Sequence, residues 1–334
     1  MLKYIIKRIL LLIPVLLGVS ILVFLVMHVF APDPTSVILG QHATADQVAK
    51  LRQTLGLNDP LYLQYWNFLK GILTGNMGES LTTHTSVAKE ILTRLPATIE
   101  LTLAAIILAS IFGIIIGIIS AVKKNSIIDY ISTIGSLIGV SMPIFWLGLM
   151  MIILFANVFR ILPPSGRITI GYEPDKITGL YILDSILTGD TDAFVDSVKH
   201  IIMPALALSL YSMAIIARMT RSTMLETIKQ DYIRTARAKG LSESTVVGKH
   251  ALRNALIPIV TVIGLQLGSL LGGAVLTETV FSWPGIGSYI IDSILKSDYP
   301  VVQGAVLILA VIFVIVNLLV DVLYAYLDPR IKYY

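Results

Sequence analysis

Six long apolar runs set the limits on this chain: residues 5–30, 97–122, 127–159, 201–224, 255–280 and 301–327. Each is long enough to cross a hydrocarbon core ~30 Å thick, which takes ~20 helical residues. Lipid offers no partner for backbone N–H and C=O groups, so a run that crosses alone must satisfy them internally, as a helix. Only 14% of the 334 residues are charged, against roughly 25% in soluble proteins. The expected fold is all-α and integral to a membrane, with six transmembrane helices. No polar linker divides the chain, so residues 1–334 are expected to form a single membrane domain with extramembrane decorations.

The first run begins like a signal peptide, with Lys3, Lys7 and Arg8. It exceeds the roughly 7–15 apolar residues of a signal core, and no small-x-small cleavage site follows, so it reads as an uncleaved span. The third run is long enough to tilt or to kink at Met142-Pro143.

Charge fixes the expected orientation. With the N-terminus in the cytoplasm, the inner segments 1–8, 123–129, 218–253 and 328–334, with Asp321 added, hold 15 Lys and Arg against 6 Asp and Glu. The outer segments hold 10 and 15. Cytoplasmic loops carry the Lys/Arg excess, so both termini are expected inside. Half of the outer positive charge lies in 31–95, a loop long enough to be exempt from that rule.

Residues 31–95 read as a small folded insertion. Residues 44–55 have helical spacing, with Thr44 as an N-cap and Gly56 as a stop. Residues 61–73 carry a stripe of Leu61, Tyr65, Phe68 and Leu69, and Trp66 suits a bilayer interface. Residues 160–199 read as loop with a short amphipathic piece. After the fifth run, Ser282-Trp283-Pro284-Gly285-Ile286-Gly287 supplies turn chemistry.

Between the fourth and fifth runs lies a charged island, 218–253, with eight basic residues. Residues 226–239 are expected to form one helix, closed by Gly240, which accepts positive φ without Cβ strain. Ser242 then offers an N-cap oxygen to a second helix running toward Arg253. On composition alone this is a positive loop lying on anionic lipid. A DNA-binding helix–turn–helix fits poorly, because membrane spans hold both ends.

The residue pattern is more specific. Arg234-Thr235-Ala236, Gly240 and His250-Ala251-Leu252-Arg253 resemble the signature cytoplasmic loop of ABC-importer permeases, whose form is Glu-Ala-Ala-x3-Gly-x9-Ile-x-Leu-Pro. Ala236, Gly240 and Leu252 match, whereas the Glu, the first Ala, the Ile and the Pro do not. Those departures resemble the peptide/nickel branch of the family. The resemblance extends through Gly56-Leu57-Asn58-Asp59-Pro60, Ser141-Met142-Pro143-Ile144-Phe145-Trp146 and Glu278-Thr279-Val280-Phe281-Ser282-Trp283-Pro284-Gly285. It continues through Asp298-Tyr299-Pro300-Val301-Val302-Gln303-Gly304 to Asp328-Pro329-Arg330, covering nearly the whole chain. It is strongest toward the first permease subunit of dipeptide importers.

The resemblance implies a type I ABC-importer permease fold, with 31–95 as an extracytoplasmic helical insertion and 218–253 as a coupling loop. It implies a second permease, two ATP-binding subunits and an external binding protein as partners, with peptide as substrate and a bacterial or archaeal cytoplasmic membrane as location. Arg234, Thr235, Ala236, Arg237, Ala238, Lys239, Gly240 and Leu241 would form the ATPase contact. No Gly-x4-Gly-Lys-[Ser/Thr] phosphate loop occurs in the chain, so ATP and Mg²⁺ are expected on the partners and no cofactor on this one.

The fifth run is the expected pathway wall, through Gln266, Ser269, Thr277 and Glu278. Its glycines 264, 268 and 272 equally suit close helix packing, as do the pairs Gly113/Gly117 and Gly135/Gly139. His28, Glu100, Asn317 and Asp321 read as locally solvated residues at span ends. No catalytic or metal residues are expected: Cys is absent, the five His are scattered, and neither His-Glu-x-x-His nor Gly-x-Ser-x-Gly occurs. Two alternatives stay open: a permease for nickel or another small solute, and an autonomous channel or secondary transporter. The latter is expected to carry ionisable groups deep in its spans, and no such relay is visible.

Overall fold

A computed structural model describes residues 2–29, 33–40 and 43–327 of the chain. His42 and the block Asp328-Pro329-Arg330 lie outside them. Among the described residues the regular structure is helical, with no strand and a single bridge between Glu79 and Ser86.

The helices are α1 (Leu2–Val29), α2 (Pro34–Leu39), α3 (Ala45–Thr54), α4 (Leu61–Leu73), α5 (Val87–Val122), α6 (Ile127–Ser141) and α7 (Ile144–Met151). They continue with α8 (Tyr181–Thr188), α9 (Thr191–Ile228), α10 (Asp231–Ala238), α11 (Glu243–Thr245), α12 (Leu252–Val280), α13 (Ile286–Leu295) and α14 (Tyr299–Leu327). Two π-helical stretches, Ile152–Val158 and Val246–Ala251, extend α7 and join α11 to α12.

Among the described residues five stretches of helix are long and apolar enough to cross a membrane, and a sixth crossing requires that α6 and α7 count as one. The pair is bent by 105°. The break falls where the sequence places a kink, and its cause is local. Pro143 has no N–H to donate and crowds the preceding residue out of helical space. Met142 accordingly sits at φ −81°, ψ 131°.

The expected elements of 31–95 form. Thr44 accepts from the Gln47 amide while the Gln47 side chain accepts from the Thr44 amide, a reciprocal cap. Gly56 follows at φ +67°. Trp66 is exposed on α4.

The described residues fall into two compact units. The first comprises residues up to 98 together with 284–315. Its core gathers Val87, Ile91, Ile286, Tyr289, Ile290, Val301 and Ala305. Gly304 permits that packing, since a Cβ there would sit 3.0 Å from Val87 Cγ1. Asp298, almost fully buried, accepts from the Ser80 and Thr82 hydroxyls at 2.5 and 3.0 Å and from the Leu81 amide at 3.1 Å. That clasp ties the turn before α5 to the start of α14.

The second unit comprises 99–283 and 316 onward. α9 is its axis, packed against α6, α7, α8 and α12. Gly113 and Gly117 bring α5 against it: added Cβ atoms would lie 2.9 Å from Ile216 Cγ2 and 2.5 Å from Thr220 Cβ. These two glycines therefore serve packing. Gly135 and Gly139 differ, because a Cβ at the first meets open space and at the second only ordinary contact.

Candidate functional site

The island folds differently from one continuous helix. α9 stops at Ile228, Gln230 turns to extended backbone (φ −70°, ψ 149°), and α10 starts afresh at Asp231. No Gly or Pro marks this break. The driving contact is tertiary: Ile233 and Ala236 fold back onto a cluster of Ala121, Met224, Val246, Ala251, Ala255 and Ile259. Ile233 is fully buried, worth roughly 1.5–3 kcal/mol of transfer free energy, and an unbroken α9 would carry it away from that cluster.

The end of α10 is the expected one. Gly240 sits at φ +79°. Its amide donates to Arg237 O at 2.9 Å and the Leu241 amide donates to Ala236 O at 3.4 Å. Together these form a Schellman closure. Ser242 holds the N-cap position, its carbonyl accepting from the Thr245 and Val246 amides, both at 3.0 Å. Its hydroxyl instead meets those of Ser244 and Thr245. The second helix of the island runs through the π-helical stretch directly into α12.

Of the eight candidate contact residues, Ala236 is buried, and Arg234, Thr235, Arg237, Ala238, Lys239, Gly240 and Leu241 are exposed. α10 therefore shows one face to its own unit and the other outward. On the outer face Arg237 grips Glu243 (Nε–Oε1 2.7 Å), and this hydrogen bond raises the guanidinium's pKa. Arg234 lies 3.9 Å from Asp231, both almost fully exposed, so that pair contributes little. Lys239 has no carboxylate partner among the described residues. Tyr232 and Leu241 expose apolar surface beside these cations. Cations flanking an aromatic suit a protein partner, since aromatic and Arg side chains dominate interface energetics.

An ion pair on a buried carboxylate braces the same unit. Arg221 of α9 donates to Asp129 of α6 through Nε (2.7 Å) and Nη2 (2.8 Å). Ser120 of α5 also donates to Asp129, as does the Asn125 amide at 3.0 Å. Three helices are pinned together by one carboxylate.

The four pathway candidates on α12 separate into two pairs. Gln266 accepts from Ser212 of α9 at 3.0 Å. Ser269 is exposed and helps line a cavity of about 230 Å³ with Leu208, Tyr211, Ser212 and Gly273. Thr277 and Glu278 are fully enclosed, at 1% and 0% exposure. Ser269 lines this largely apolar recess and Gln266 meets its wall through Ser212, while Thr277 and Glu278 lie in the interior.

Sequence reasoning missed a second polar site. Glu100, read as locally solvated, is 7% exposed. Its Oε2 accepts from Arg167 Nε and Nη2 at 2.9 and 2.6 Å, and its Oε1 accepts from the Ile182 amide at 2.8 Å. Arg167 also donates to Gly179 O at 2.7 Å and stacks over Tyr181 at 3.8 Å. Beside it Asp184 accepts from the amides of Ile177, Thr178 and Gly179 and from the Thr178 hydroxyl. Burial alone would raise the Asp184 pKa, but these donors outweigh it and hold the carboxyl below its usual range. The result is a locked loop over 167–184. No local signal announces it, because Glu100 and Arg167 are 67 residues apart.

Among the described residues no group of three or more His, Cys, Asp or Glu is placed to hold a metal ion. What the described residues offer is an exposed basic face on α10, helices braced by Asp129 and a small recess beside α12.

Residues 113–333 match the family described as the binding-protein-dependent transport system inner membrane component, and residues 1–102 match its N-terminal component. The chain is 52% identical to the dipeptide transport system permease protein DppB of Alkalihalophilus pseudofirmus, over 100% of both chains. It is 48% identical to the di/tripeptide transport system permease protein DppB of Pseudomonas aeruginosa, over 100% of this chain and 99% of that one. In fold it is similar to a chain of the MetNI methionine ABC transporter, with a TM-score of 0.50 at 21% identity, covering 71% of this chain and 96% of that chain. The chain belongs to the family of binding-protein-dependent transport system inner membrane components, the permeases of ABC importers.

Proposed function

We propose that this chain is one of two membrane subunits of an ATP-driven importer of dipeptides and short oligopeptides. The two halves of α10 carry the reading: a buried face on α9 and α12, and an outward face of Arg234, Thr235, Arg237, Ala238, Lys239, Gly240 and Leu241. A partner ATPase grips the outward face. Its closure on ATP and Mg²⁺, both bound by the partner, moves α9 and α12 through Ile233 and Ala236. Full-length relatives named for dipeptides and di/tripeptides support the substrate class.

In this reading the chain is a single membrane domain of six crossings, α6 and α7 forming one of them, with both termini in the cytoplasm. Residues 31–95 are an insertion on the outer side and 218–253 face the ATPases. An external binding protein delivers peptide to a passage shared with the second permease. On this side Gln266 and Ser269 offer it hydrogen bonds, whereas Thr277 and Glu278 hold the end of α12 in place.

The test is Gly240→Val, assayed in proteoliposomes with the partner subunits. Nothing lies within 4 Å of a Cβ at this position, so the defect comes from forcing a β-branched residue to φ +79°, a strain of roughly 1–2 kcal/mol or more. Insertion and assembly are expected to survive while peptide uptake falls away from ATP hydrolysis. Undiminished uptake, or uptake with no ATPase present, would contradict the proposal.

A further inference from the structure

One polar recess in the second unit serves neither the docking face nor the pathway. Between α5, α6 and α9 lies a cavity of about 100 Å³, lined by Gly117, Ser132, Thr133, Ser136, Arg218 and Arg221 among others. Its surroundings are apolar and exposed: Ile131, Ile134 and Leu137 on α6 and Met219 on α9. Hydroxyls and guanidinium groups set into such a surface are costly against hydrocarbon, and polar groups there mark a polar occupant.

The charge balance of the recess identifies that occupant. Asp129 neutralises Arg221 through Nε and Nη2, leaving Nη1 for another acceptor. Arg218, one turn earlier on α9, is exposed and has no carboxylate partner among the described residues. The recess therefore carries one uncompensated positive charge. Ser136 back-bonds to Ser132 O at 2.8 Å and Thr133 to Asp129 O at 2.8 Å, which leaves the Ser132 hydroxyl as a further donor. A monoanionic phosphodiester matches this set in charge, donor count and size, whereas the recess is too small for a peptide.

We propose that this recess binds the headgroup phosphate of an anionic phospholipid of the cytoplasmic leaflet. The leaflet assignment rests on the orientation given under Proposed function. Basic recesses between spans on that side are suited to anionic headgroups. A zwitterionic lipid brings its own cation beside Arg218 and is disfavoured.

Native mass spectrometry of the chain purified with its partner subunits would test this by titration with phosphatidylglycerol, phosphatidylethanolamine or inorganic phosphate. The expected result is one phosphatidylglycerol retained per chain over phosphatidylethanolamine, bound about tenfold more weakly in Arg218→Gln and unchanged in Lys123→Gln. Equal retention of both lipids, or equal loss in the two variants, would reduce the effect to diffuse attraction and overturn the proposal. Competition by inorganic phosphate at matched concentration would overturn it too, in favour of a soluble-phosphate site. Orientation is read separately, from labelling of Lys124→Cys in sealed vesicles. Labelling only from outside would remove the leaflet assignment while leaving the lipid selectivity to stand.

Discussion

Arg167 and Arg237 each grip a glutamate through two nitrogens, yet the chain uses them in opposite ways. Arg167 is 7% exposed, its acceptors are all internal, and Tyr181 covers its face. Arg237 has a side chain 40% exposed, and Glu243 is more exposed still. The first pair is part of the architecture and the second lies on the surface, where the proposed ATPase contact would use it. An ion pair reports function only through what surrounds it: burial with every acceptor satisfied fixes a loop, whereas exposure beside Tyr232 and Leu241 presents one.

The contrast breaks most visibly at Arg167. Arg167→Ala leaves Glu100 buried without its cation, a loss expected at ~3–5 kcal/mol, read as a large drop in the melting temperature of the assembled complex. Lys at the same position should rescue poorly, since it lacks the bidentate fork. A melting temperature unchanged in both variants would remove the distinction between the two regions.

Ile233→Ala comes next. It opens a cavity under α10 and is expected to cost ~2–5 kcal/mol, with faster hydrogen exchange confined to 231–241 if the platform loosens as a unit. Exchange spreading equally through α13 would argue that α10 is not separately anchored.

Asp184 sharpens the buried half of the comparison through pH. Its folded pKa is depressed, so its contribution is fully present above the unfolded value of ~3.9 and is lost as pH falls through the folded one. The gap in melting temperature between the parent chain and Asp184→Asn should therefore be widest near neutrality and close below about pH 4. A gap constant down to pH 3 would count against the carboxylate's role.

The smallest effect on stability belongs to Glu243→Gln. An exposed pair is not expected to move the melting temperature measurably, while copurification of the ATPase should weaken as Arg237 loses its orientation. A clear loss of stability without loss of the partner would invert the reading of this surface.

How much of this was legible in sequence depended on how local the cause was. Thr44 and Gly56 each act locally at one end of α3, so that helix could be read directly. The Met142-Pro143 break was visible, but its 105° angle was not, because packing of the following helix sets it. The interruption at Lys229-Gln230 had no breaker residue to announce it; burial of Ile233 and Ala236 against α9 and α12 imposes it. Glu100 stayed unread for the same reason, its partners being far along the chain. Of the pathway candidates on α12, Ser269 lines a recess, whereas Thr277 and Glu278 on the same helix are enclosed by neighbours that periodicity alone does not reveal.

The central claim is that the outward face of α10 meets the ATPase while the inward face stays on its own chain. The chain has no cysteine, so single-cysteine crosslinking reads each face without background. The account predicts that Ala238→Cys crosslinks to the ATPase subunit, with an efficiency that changes on ATP binding, while Ala236→Cys does not. A complex that retains its ATPase but shows no crosslink at 238, or equal crosslinking at both positions, would contradict it.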